Sequence, residues 1–441
     1  MNGDSLTRDS RGAVHSTAIV AACLAAWSIG AYVFYLLAGR LLGPEEYGLV
    51  AALQAVIVVL ALPAVSLQWS IARSIASSDG TSQADTAATY RRAVVLGSIA
   101  SVILAAIATA ATVALGSANP GIPVGPLVAT YWSATPLVPL VLGMGALQGR
   151  HRYWGFAWSY GSTGVLRAPF LLLLLAIPLI GGVEATSLAT GIPYLIGAAM
   201  ALWLTRELLT RRARPSREAW RSFARVLGVS AIGLGGIAVL TNVDVVAAKI
   251  GIGGDEAGYF GAAAIIAKAL MLVPQALTVV LLPRVAEREA RGSTTGPLLA
   301  AGVAVMFAAG IVAMLLAIPL EGWITTITFG SEFAPAADLL VPFLGATTLL
   351  GALLILVNHH IARSDHRFAW VVGGLAVVQV VLLAFFSTSA GAIIAVDATV
   401  AAIGLIVHEM LYFRTDESML RGVARQARAV LNRTRTTGAP R

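Results

Sequence analysis

The sequence predicts an all-α polytopic membrane protein with twelve transmembrane helices divided between two six-helix lobes. Of its 441 residues, 58% are hydrophobic and only 12% are charged, whereas roughly a quarter of the residues in a soluble protein are charged. Apolar runs of about twenty residues recur from end to end, each long enough to cross a bilayer core of roughly 30 Å as a helix. In addition, short sequence motifs of the first half recur 209 to 212 positions later, in the second half.

The predicted spans are the apolar runs that lie between charged residues or clusters of glycine and proline. Spans 1 to 6 are Thr17–Ala38, Leu49–Ile71, Ala93–Leu115, Pro126–Leu147, Trp154–Ile180 and Thr186–Leu204. Spans 7 to 12 are Val226–Ala248, Phe260–Leu282, Leu298–Ile318, Leu339–Val357, Phe368–Phe386 and Ala392–Tyr412. Only helices satisfy their own backbone hydrogen bonds in lipid over such lengths, so all twelve spans are expected to be helical.

The charges of the connecting loops predict how the chain crosses the membrane. Of the 30 lysines and arginines, 26 fall on the side of the N-terminus, and the opposite side holds only Arg40 and Lys249. Short loops rich in basic residues stay on the cytoplasmic side of a membrane. Both termini are therefore expected in the cytoplasm.

A long basic loop divides the chain into two sets of six spans. We predict an N-lobe at residues 1–205, a basic cytoplasmic linker at 206–225, a C-lobe at 226–412 and a basic cytoplasmic tail at 413–441. Because each lobe has an even number of spans, the two copies should be parallel repeats related by an axis along the membrane normal.

The repeat is clearest at the turn between the first two spans of each lobe. The sequence RLLGPEEYG at 40–48 corresponds to KIGIGGDEAGYFG at 249–261. In each copy an apolar run with an internal proline follows, and an arginine comes ten positions after that proline, at Arg73 and Arg284. Two such copies indicate a duplicated architecture.

No enzyme motif is present, and the sequence predicts that the protein is not an enzyme. The phosphate-binding pattern G-x-x-x-x-G-K-[ST] and the zinc-binding pattern H-E-x-x-H are absent, so neither a cofactor nor a metal is expected. The net charge of +8 comes from residues in short loops rather than from one soluble face, so no nucleic-acid partner is expected. Cys23 is the single cysteine, which excludes a disulfide within the chain.

Charged residues inside the spans are the main functional candidates, because each costs at least roughly 2.5–3.5 kcal/mol at the centre of a helix that faces lipid. Arg167 lies deep in span 5, and Lys268 lies eight residues into span 8. Two cations in a water-filled cavity would suit an anionic head group. The structural alternatives are pairing of Arg167 with backbone carbonyls and Tyr160, and pairing of Lys268 with Asp244 or its extension to the outer surface.

Four residues near the ends of spans complete the candidate set. Asn242 and Asp244 lie in the outer part of span 7. Asn242 is a candidate substrate-binding residue, and Asp244 is either a proton or sodium site or a polar residue at the outer interface. Arg73 and Arg284 end spans 2 and 8 on the predicted cytoplasmic side. They are either ordinary topology signals or a gate that attracts phosphate, for which the arginine fork is suited.

The repeated turns resemble those of the polysaccharide exporters in the multidrug/oligosaccharidyl-lipid/polysaccharide (MOP) superfamily. The resemblance rests on RLLGPEEYG at 40–48 and on the stretch Asp244–Arg284, with DEAGYF at 255–260 and LPR at 282–284. It covers essentially the whole chain in span count, orientation and two-lobe layout. It implies a MATE-like arrangement of two six-helix lobes around a central cavity, lined mainly by spans 1, 2, 7 and 8.

The resemblance also implies a function, that of a Wzx-like flippase of the bacterial plasma membrane. Such a protein alternates access and moves undecaprenyl-(pyro)phosphate-linked oligosaccharides to the outer leaflet for cell-surface polysaccharide synthesis. The substrate-binding candidates in this chain are Arg73, Arg167, Asn242, Lys268 and Arg284. Expected partners are the lipid-linked glycan, membrane lipids, and a polysaccharide polymerase or glycosyltransferases. The alternative is an ion-coupled multidrug or cation exporter of the same superfamily, with Asp244 as the ion site.

The repeat further predicts that the two lobes differ in charge. Lys268 in the second copy corresponds to an apolar region around Ile57 in the first copy. The strongest attraction for an anion is therefore expected in the second lobe.

Overall fold

The computed structural model describes residues 3–77, 83–115, 123–210, 215–277, 295–362, 367–415, 418–419 and 421–422. In the first half of the chain the helices are Gly3–Ala76, Gln83–Leu115, Val124–Ala134, Leu137–Gly149, Tyr153–Val165, Arg167–Leu175, Gly182–Leu204 and Arg206–Leu209. Those that follow are Arg217–Gly251, Gly254–Lys268, Gly296–Phe329, Ala337–Ala362, Arg367–Phe386 and Ala390–Tyr412, with 3₁₀ turns at Ala269–Met271 and Ser331–Ala336. The described residues contain no β-strand.

Ten segments of the described chain are long and apolar enough to cross a membrane. The first, Val20–Ala76, has 57 residues and accounts for two crossings, because its helix is interrupted at Gly43. Span 5 is not among the ten, because it is divided into the short helices Tyr153–Val165 and Arg167–Leu175. Counted in this way, the described residues account for the twelve predicted spans, and the all-α, multi-pass fold class is confirmed.

Glycine in a left-handed conformation forms the turn that the sequence repeats. Gly43 has φ 75° and ψ 174°, and Gly253 has φ 69° and ψ −170°. An L-residue with a side chain is strained at these angles, so the turn requires glycine. In the second copy the next helix begins with Asp255 and Glu256 in its first turn, where carboxylates interact favourably with the helix dipole. The two copies thus share a backbone conformation as well as a sequence pattern.

The described chain separates into two compact units, Met1–Ala231 and Ile232–Arg441. The division falls inside the helix Arg217–Gly251, a few residues after the predicted start of span 7. Part of the predicted linker packs on the first unit, since the guanidinium of Arg92 lies 4.5 Å from the ring centroid of Trp220. We refer to these segments as the first and second units.

Proline interrupts the helix beside each charged residue singled out in spans 5 and 8. Pro169 cannot donate a hydrogen bond to the carbonyl one turn earlier, and span 5 breaks just before it, between Val165 and Arg167. In span 8 the α-helix ends at Lys268 and a 3₁₀ turn leads towards Pro274. Arg167 begins a helix segment and Lys268 ends one.

Span 9 is longer than predicted. The sequence suggests an end at Ile318, where Pro319 and Glu321 interrupt the apolar run, but the helix continues from Gly296 to Phe329. Hydroxyls of the extension, such as that of Thr325, donate to carbonyls of the preceding turn at 2.9 to 3.2 Å. A drop in hydropathy therefore ends the apolar run but not the helix.

Spans 1 and 5 approach each other through two glycines. A β-carbon at Gly30 would lie 2.6 Å from the carbonyl carbon of Gly164, and one at Gly164 would lie 2.7 Å from the Cα of Trp27. Both distances are shorter than van der Waals contact, so neither position has room for a side chain. This close packing holds the N-terminal span against the broken helix that carries Arg167.

Substituting Gly164 by alanine should destabilise the first unit by about 1–3 kcal/mol, because the added methyl group would force the two backbones apart. Gly161 is the matched control, since a β-carbon there would lie at an ordinary 3.5 Å from the Cys23 sulfur. Thermal unfolding of both variants in detergent measures the difference. Equal melting temperatures for G164A and G161A would contradict this packing.

Candidate functional site

Arg167 lies in the interior of the first unit, where only 4% of the residue is exposed. Its Nε donates to the Thr163 carbonyl at 3.1 Å, and its Nη2 donates to the Tyr194 hydroxyl at 2.7 Å. The guanidinium carbon is 5.2 Å from the ring centroid of Tyr194 and 5.9 Å from that of Phe34. Residues of spans 1, 5 and 6 thus surround this cation.

None of the ion pairs found among the described residues includes Arg167. A carbonyl and a hydroxyl accept hydrogen bonds from the guanidinium, and two aromatic rings lie near it, but none of these groups cancels its charge. These contacts match the structural alternative, with Tyr194 in the place expected for Tyr160. They nevertheless leave a net positive charge inside the first unit, which favours an anion over a cation as a ligand.

Lys268 is paired with Asp244, as one of the sequence alternatives anticipates. Its Nζ donates to both carboxylate oxygens, at 2.8 and 3.0 Å. The same ammonium lies 5.6 Å from the ring centroid of Phe343 in span 10. Lys268 therefore has a carboxylate as its counter-ion, whereas Arg167 has none among the described residues.

Two residues that the sequence patterns do not single out complete this cluster. Gln379 in span 11 and Asp397 in span 12 are both fully buried. Gln379 Nε2 donates to Asp397 Oδ1 at 2.6 Å and to the Leu240 carbonyl at 3.2 Å. Gln379 thus links Asp397 to span 7 one helical turn before Asp244, and the two carboxyls interact electrostatically. The sequence signal for it is a carboxylate inside the apolar run of span 12.

The cluster has one exposed member. The side chain of Asp244 is 1% exposed, and Asp397 and Gln379 are buried completely, whereas 15% of the Lys268 side chain is exposed. Among these side chains, Lys268 is therefore the one with appreciable exposed surface.

The remaining predicted site residues take no part in these contacts. The Asn242 amide donates to a carbonyl and a hydroxyl of its own helix, at 2.9 and 2.8 Å. Arg73 is exposed at the end of the helix Gly3–Ala76. Arg284 lies outside the described residues. Of the six predicted residues, the contacts of the described chain join only Asp244 and Lys268.

The balance of charge between the two units differs from the one that the repeat suggests. The sequence predicts the stronger anion attraction in the second lobe, because Lys268 has no cationic counterpart at Ile57. In the structure Asp244 balances the charge of Lys268, while no carboxylate of the described chain pairs with Arg167. The excess positive charge in the interior therefore lies in the first unit.

A second buried polar contact joins spans 10 and 12. The Nε2 atoms of His360 and His408 are 3.0 Å apart, and both residues are buried. Phe368 and Tyr412 pack on the rings of this pair. One ring must donate and the other accept, so the contact selects complementary tautomers.

Outside the spans, an ion pair connects two loops on the predicted cytoplasmic side. Arg150 follows span 4, and its Nη2 lies 3.1 Å from a carboxylate oxygen of Glu207, which follows span 6. Arg152 Nη2 is 3.7 Å from the other oxygen. The hydrogen bond from Arg150, together with the charges of Arg150 and Arg152, lowers the pKa of the Glu207 carboxyl below its ordinary value of 4.5. These contacts connect the turn between spans 4 and 5 to the segment after span 6.

Comparison with known sequences points to one family. A family model described as a polysaccharide biosynthesis protein matches residues 15–289, more than half of the chain. No curated protein matches the sequence.

Several solved structures share the fold at low sequence identity. The lipid II flippase MurJ in an inward closed conformation has a TM-score of 0.66 at 12% identity, covering 94% of this chain and 93% of that one. An inward-facing multidrug resistance MATE family transporter of the MOP superfamily has a TM-score of 0.64 at 16% identity, covering 90% and 96%. A MOP superfamily transporter from Pyrococcus furiosus, described as having a binding pocket of reverse polarity, has a TM-score of 0.53 at 16% identity, covering 88% and 95%. Such likeness concerns the fold, and these proteins are flippases and transporters rather than enzymes.

Removing Lys268 should destabilise the protein more than removing Lys268 and Asp244 together. K268M leaves two buried carboxyls without their cation, and loss of one partner of a buried pair costs about 3–5 kcal/mol. In the double variant D244N/K268M much of that penalty disappears, because one of the two carboxyls is gone. Melting temperatures in detergent test this order. A double variant less stable than K268M would show that the pair is not coupled.

Replacing Glu207 by glutamine should lower the melting temperature at neutral pH and have no effect in acid. The folded-state pKa is depressed, so the stabilisation is present above the ordinary pKa of 4.5 and is lost as the pH falls below it. Thermal unfolding of E207Q and of the wild type between about pH 7 and about pH 3 measures how the difference between their melting temperatures shrinks as the pH falls. A constant difference over this range would rule out an electrostatic origin.

Proposed function

Because the chain belongs to the polysaccharide biosynthesis protein family, as the sequence predicts, we propose that it is a lipid-linked oligosaccharide flippase of the MOP superfamily. It moves a polyprenyl-(pyro)phosphate-linked oligosaccharide across the bacterial plasma membrane by alternating access, for the synthesis of cell-surface polysaccharide. The observation that carries this proposal is the buried, charge-unbalanced Arg167. A phosphate or pyrophosphate head group is an anion that cannot be buried without cationic partners.

Arg167 is the primary phosphate-binding residue in this proposal. Its guanidinium is already oriented by the Thr163 carbonyl and the Tyr194 hydroxyl, so little conformational freedom remains to be lost when a phosphate binds. Its position at the break in span 5 supports this role, because interrupted helices with free half-helix ends are typical of transporter binding sites. Lys268 acts as a second cation after its release from Asp244.

The other proposed residues have supporting roles. Arg73, and Arg284 at the equivalent position of the repeat, attract the head group at the cytoplasmic ends of spans 2 and 8, and Asn242 contacts the sugar. Both termini face the cytoplasm, and residues 1–205 and 226–412 form the two lobes. A polysaccharide polymerase or glycosyltransferases deliver or take up the lipid-linked glycan.

An ion-coupled exporter of cationic compounds is the second candidate, and the pair of buried carboxyls at Asp244 and Asp397 favours it. In that case the acidic pair binds either the cation that is exported or a coupling ion. Lys268 then serves only as the counter-ion of the carboxyls when no such cation is bound. Such an exporter needs Asp244 for every turnover and does not depend on a phosphate-bearing lipid. Purified protein that is stabilised by a cationic drug and not by polyprenyl phosphate would support this alternative.

Replacing Arg167 by alanine should reduce transport at least about tenfold, because a hydrogen bond to a charged partner contributes about 1.5–3 kcal/mol. R167K, which keeps the charge but loses the planar fork, should retain an intermediate rate. The measurement is leaflet-specific labelling of lipid-linked sugar in membranes with and without the protein. Arg221, an exposed arginine of the segment before span 7, supplies the control variant R221A.

Equal transport by R167A and R221A would exclude Arg167 from the phosphate site. Loss of transport in R167A counts only if its melting temperature shows a folded protein, because the guanidinium also joins spans 5 and 6 through Tyr194. If wild-type membranes label the outer leaflet no faster than membranes without the protein, the proposed flippase function fails.

A further inference from the structure

We propose that Asp244 and Asp397 form a proton-binding pair that decides whether Lys268 is available to a phosphate head group. This inference rests on the proposed flippase function and concerns how its second cation is controlled. The observations are the bidentate contact of Lys268 with Asp244, the adjacent buried carboxyl of Asp397, and the exposure of Lys268 alone.

In its resting state the cluster holds one proton. Two carboxylates and one ammonium would leave an uncompensated negative charge in an apolar interior, which is strongly unfavourable. Gln379 donates to Asp397 Oδ1, whereas Oδ2 has no donor among the described residues. A proton on Oδ2 can be donated to the neighbouring Asp244 carboxylate. The cluster is then neutral, and Asp244 stays ionised for Lys268.

Uptake of a second proton changes the state of Lys268. The proton converts the Asp244 carboxylate into a carboxylic acid, no bond other than the ion pair is broken, and the cluster acquires a net charge of one. The ammonium has then lost its counter-ion while its side chain remains partly exposed. A phosphate oxygen can replace the carboxylate as its partner. Release of that proton restores the ion pair and expels the phosphate.

The surroundings of the cluster suit such an exchange. The Phe343 ring lies 5.6 Å from the ammonium and continues to stabilise a cation after the carboxylate is neutralised. The groups that face the cluster come from four spans: Asp244 from span 7, Lys268 from span 8, Gln379 from span 11 and Asp397 from span 12. Gln379 is uncharged at every pH, so the two carboxyls and the ammonium determine the proton count.

Proton uptake by the cluster and phosphate binding are coupled. Proton uptake strengthens phosphate binding, and by reciprocity phosphate binding takes up a proton. The proton is therefore bound together with the anion and does not compete with it. An antiporter in which proton and substrate displace each other requires the opposite sign.

Binding of undecaprenyl phosphate to the full-length protein in detergent tests the switch. Between about pH 8 and about pH 5.5 the affinity should rise by up to about tenfold per pH unit, the limit for one linked proton. Proton uptake on binding is measured with a pH indicator in weak buffer. Inorganic pyrophosphate is titrated in parallel to separate a lipid-borne phosphate from a free one.

Three variants separate the switch from the titration of the phosphate itself. D244N imitates the protonated state, so at pH 8 it should bind as tightly as the wild type does at low pH, and its remaining pH dependence is that of the ligand. D397N keeps an uncharged donor beside Asp244 and should retain the switch. K268M should bind weakly at every pH.

Wild-type affinity that follows the pH dependence of D244N would overturn the switch, and so would a K268M variant that binds as the wild type does. Neither result affects the proposed function if R167A still loses binding. Loss of the pH response in D397N would overturn the assignment of the switching proton to Asp244. If inorganic pyrophosphate binds with the expected response and undecaprenyl phosphate does not bind, the switch stands and the lipid-linked substrate is wrong. If neither binds, both proposals fail.

Discussion

A charge inside a membrane-spanning helix has to be compensated within the protein, and the two units meet this constraint in different ways. In the first unit, dipoles and aromatic faces surround Arg167 and leave its charge in place. In the second unit, Asp244 cancels the charge of Lys268, and Asp397 adds a second acid. Dipoles satisfy hydrogen bonds, whereas a carboxylate also removes net charge. The first unit therefore contains a cation without a carboxylate partner, and the second contains a cation paired with a carboxylate.

Much of the fold could be predicted from the sequence, because its main determinants are local. Apolar runs of membrane-spanning length and the repeated glycine turn are both visible in short stretches. Gly43 and Gly253 have nearly the same backbone angles, so the repeated sequence reflects a repeated conformation. The end of span 9 could not be predicted in this way. Hydropathy falls at Glu321, but the helix continues to Phe329, and carbonyls of the preceding turn accept the threonine hydroxyls.

The candidate site was less predictable, because its contacts join spans that are far apart in the chain. Arg167 and Lys268 are recognisable as charges in apolar runs, yet their partners depend on how the helices pack. The choice of Tyr194 rather than Tyr160 as the partner of Arg167 is set by the packing of span 6 on span 5. Asp397 becomes important only because span 12 brings it beside Asp244, which lies 153 positions earlier.

The repeat relates one residue of the first site to one residue of the second. The ring of Phe34 lies 5.9 Å from the guanidinium carbon of Arg167, and Phe34 stands 210 positions before Asp244. This offset falls within the range of the repeated turns. A phenylalanine in one copy thus stands where an aspartate stands in the other.

This exchange contributes to the difference in charge between the two units. Each unit places an interior polar contact between its last two spans, Arg167 with Tyr194 in one and Gln379 with Asp397 in the other. Lys268, which corresponds to Ile57 in the first copy, balances the charge of Asp244 in the second. A protein with two identical lobes would carry the same interior charge in both, whereas here the first unit holds a cation without a carboxylate partner and the second holds a cation paired with one.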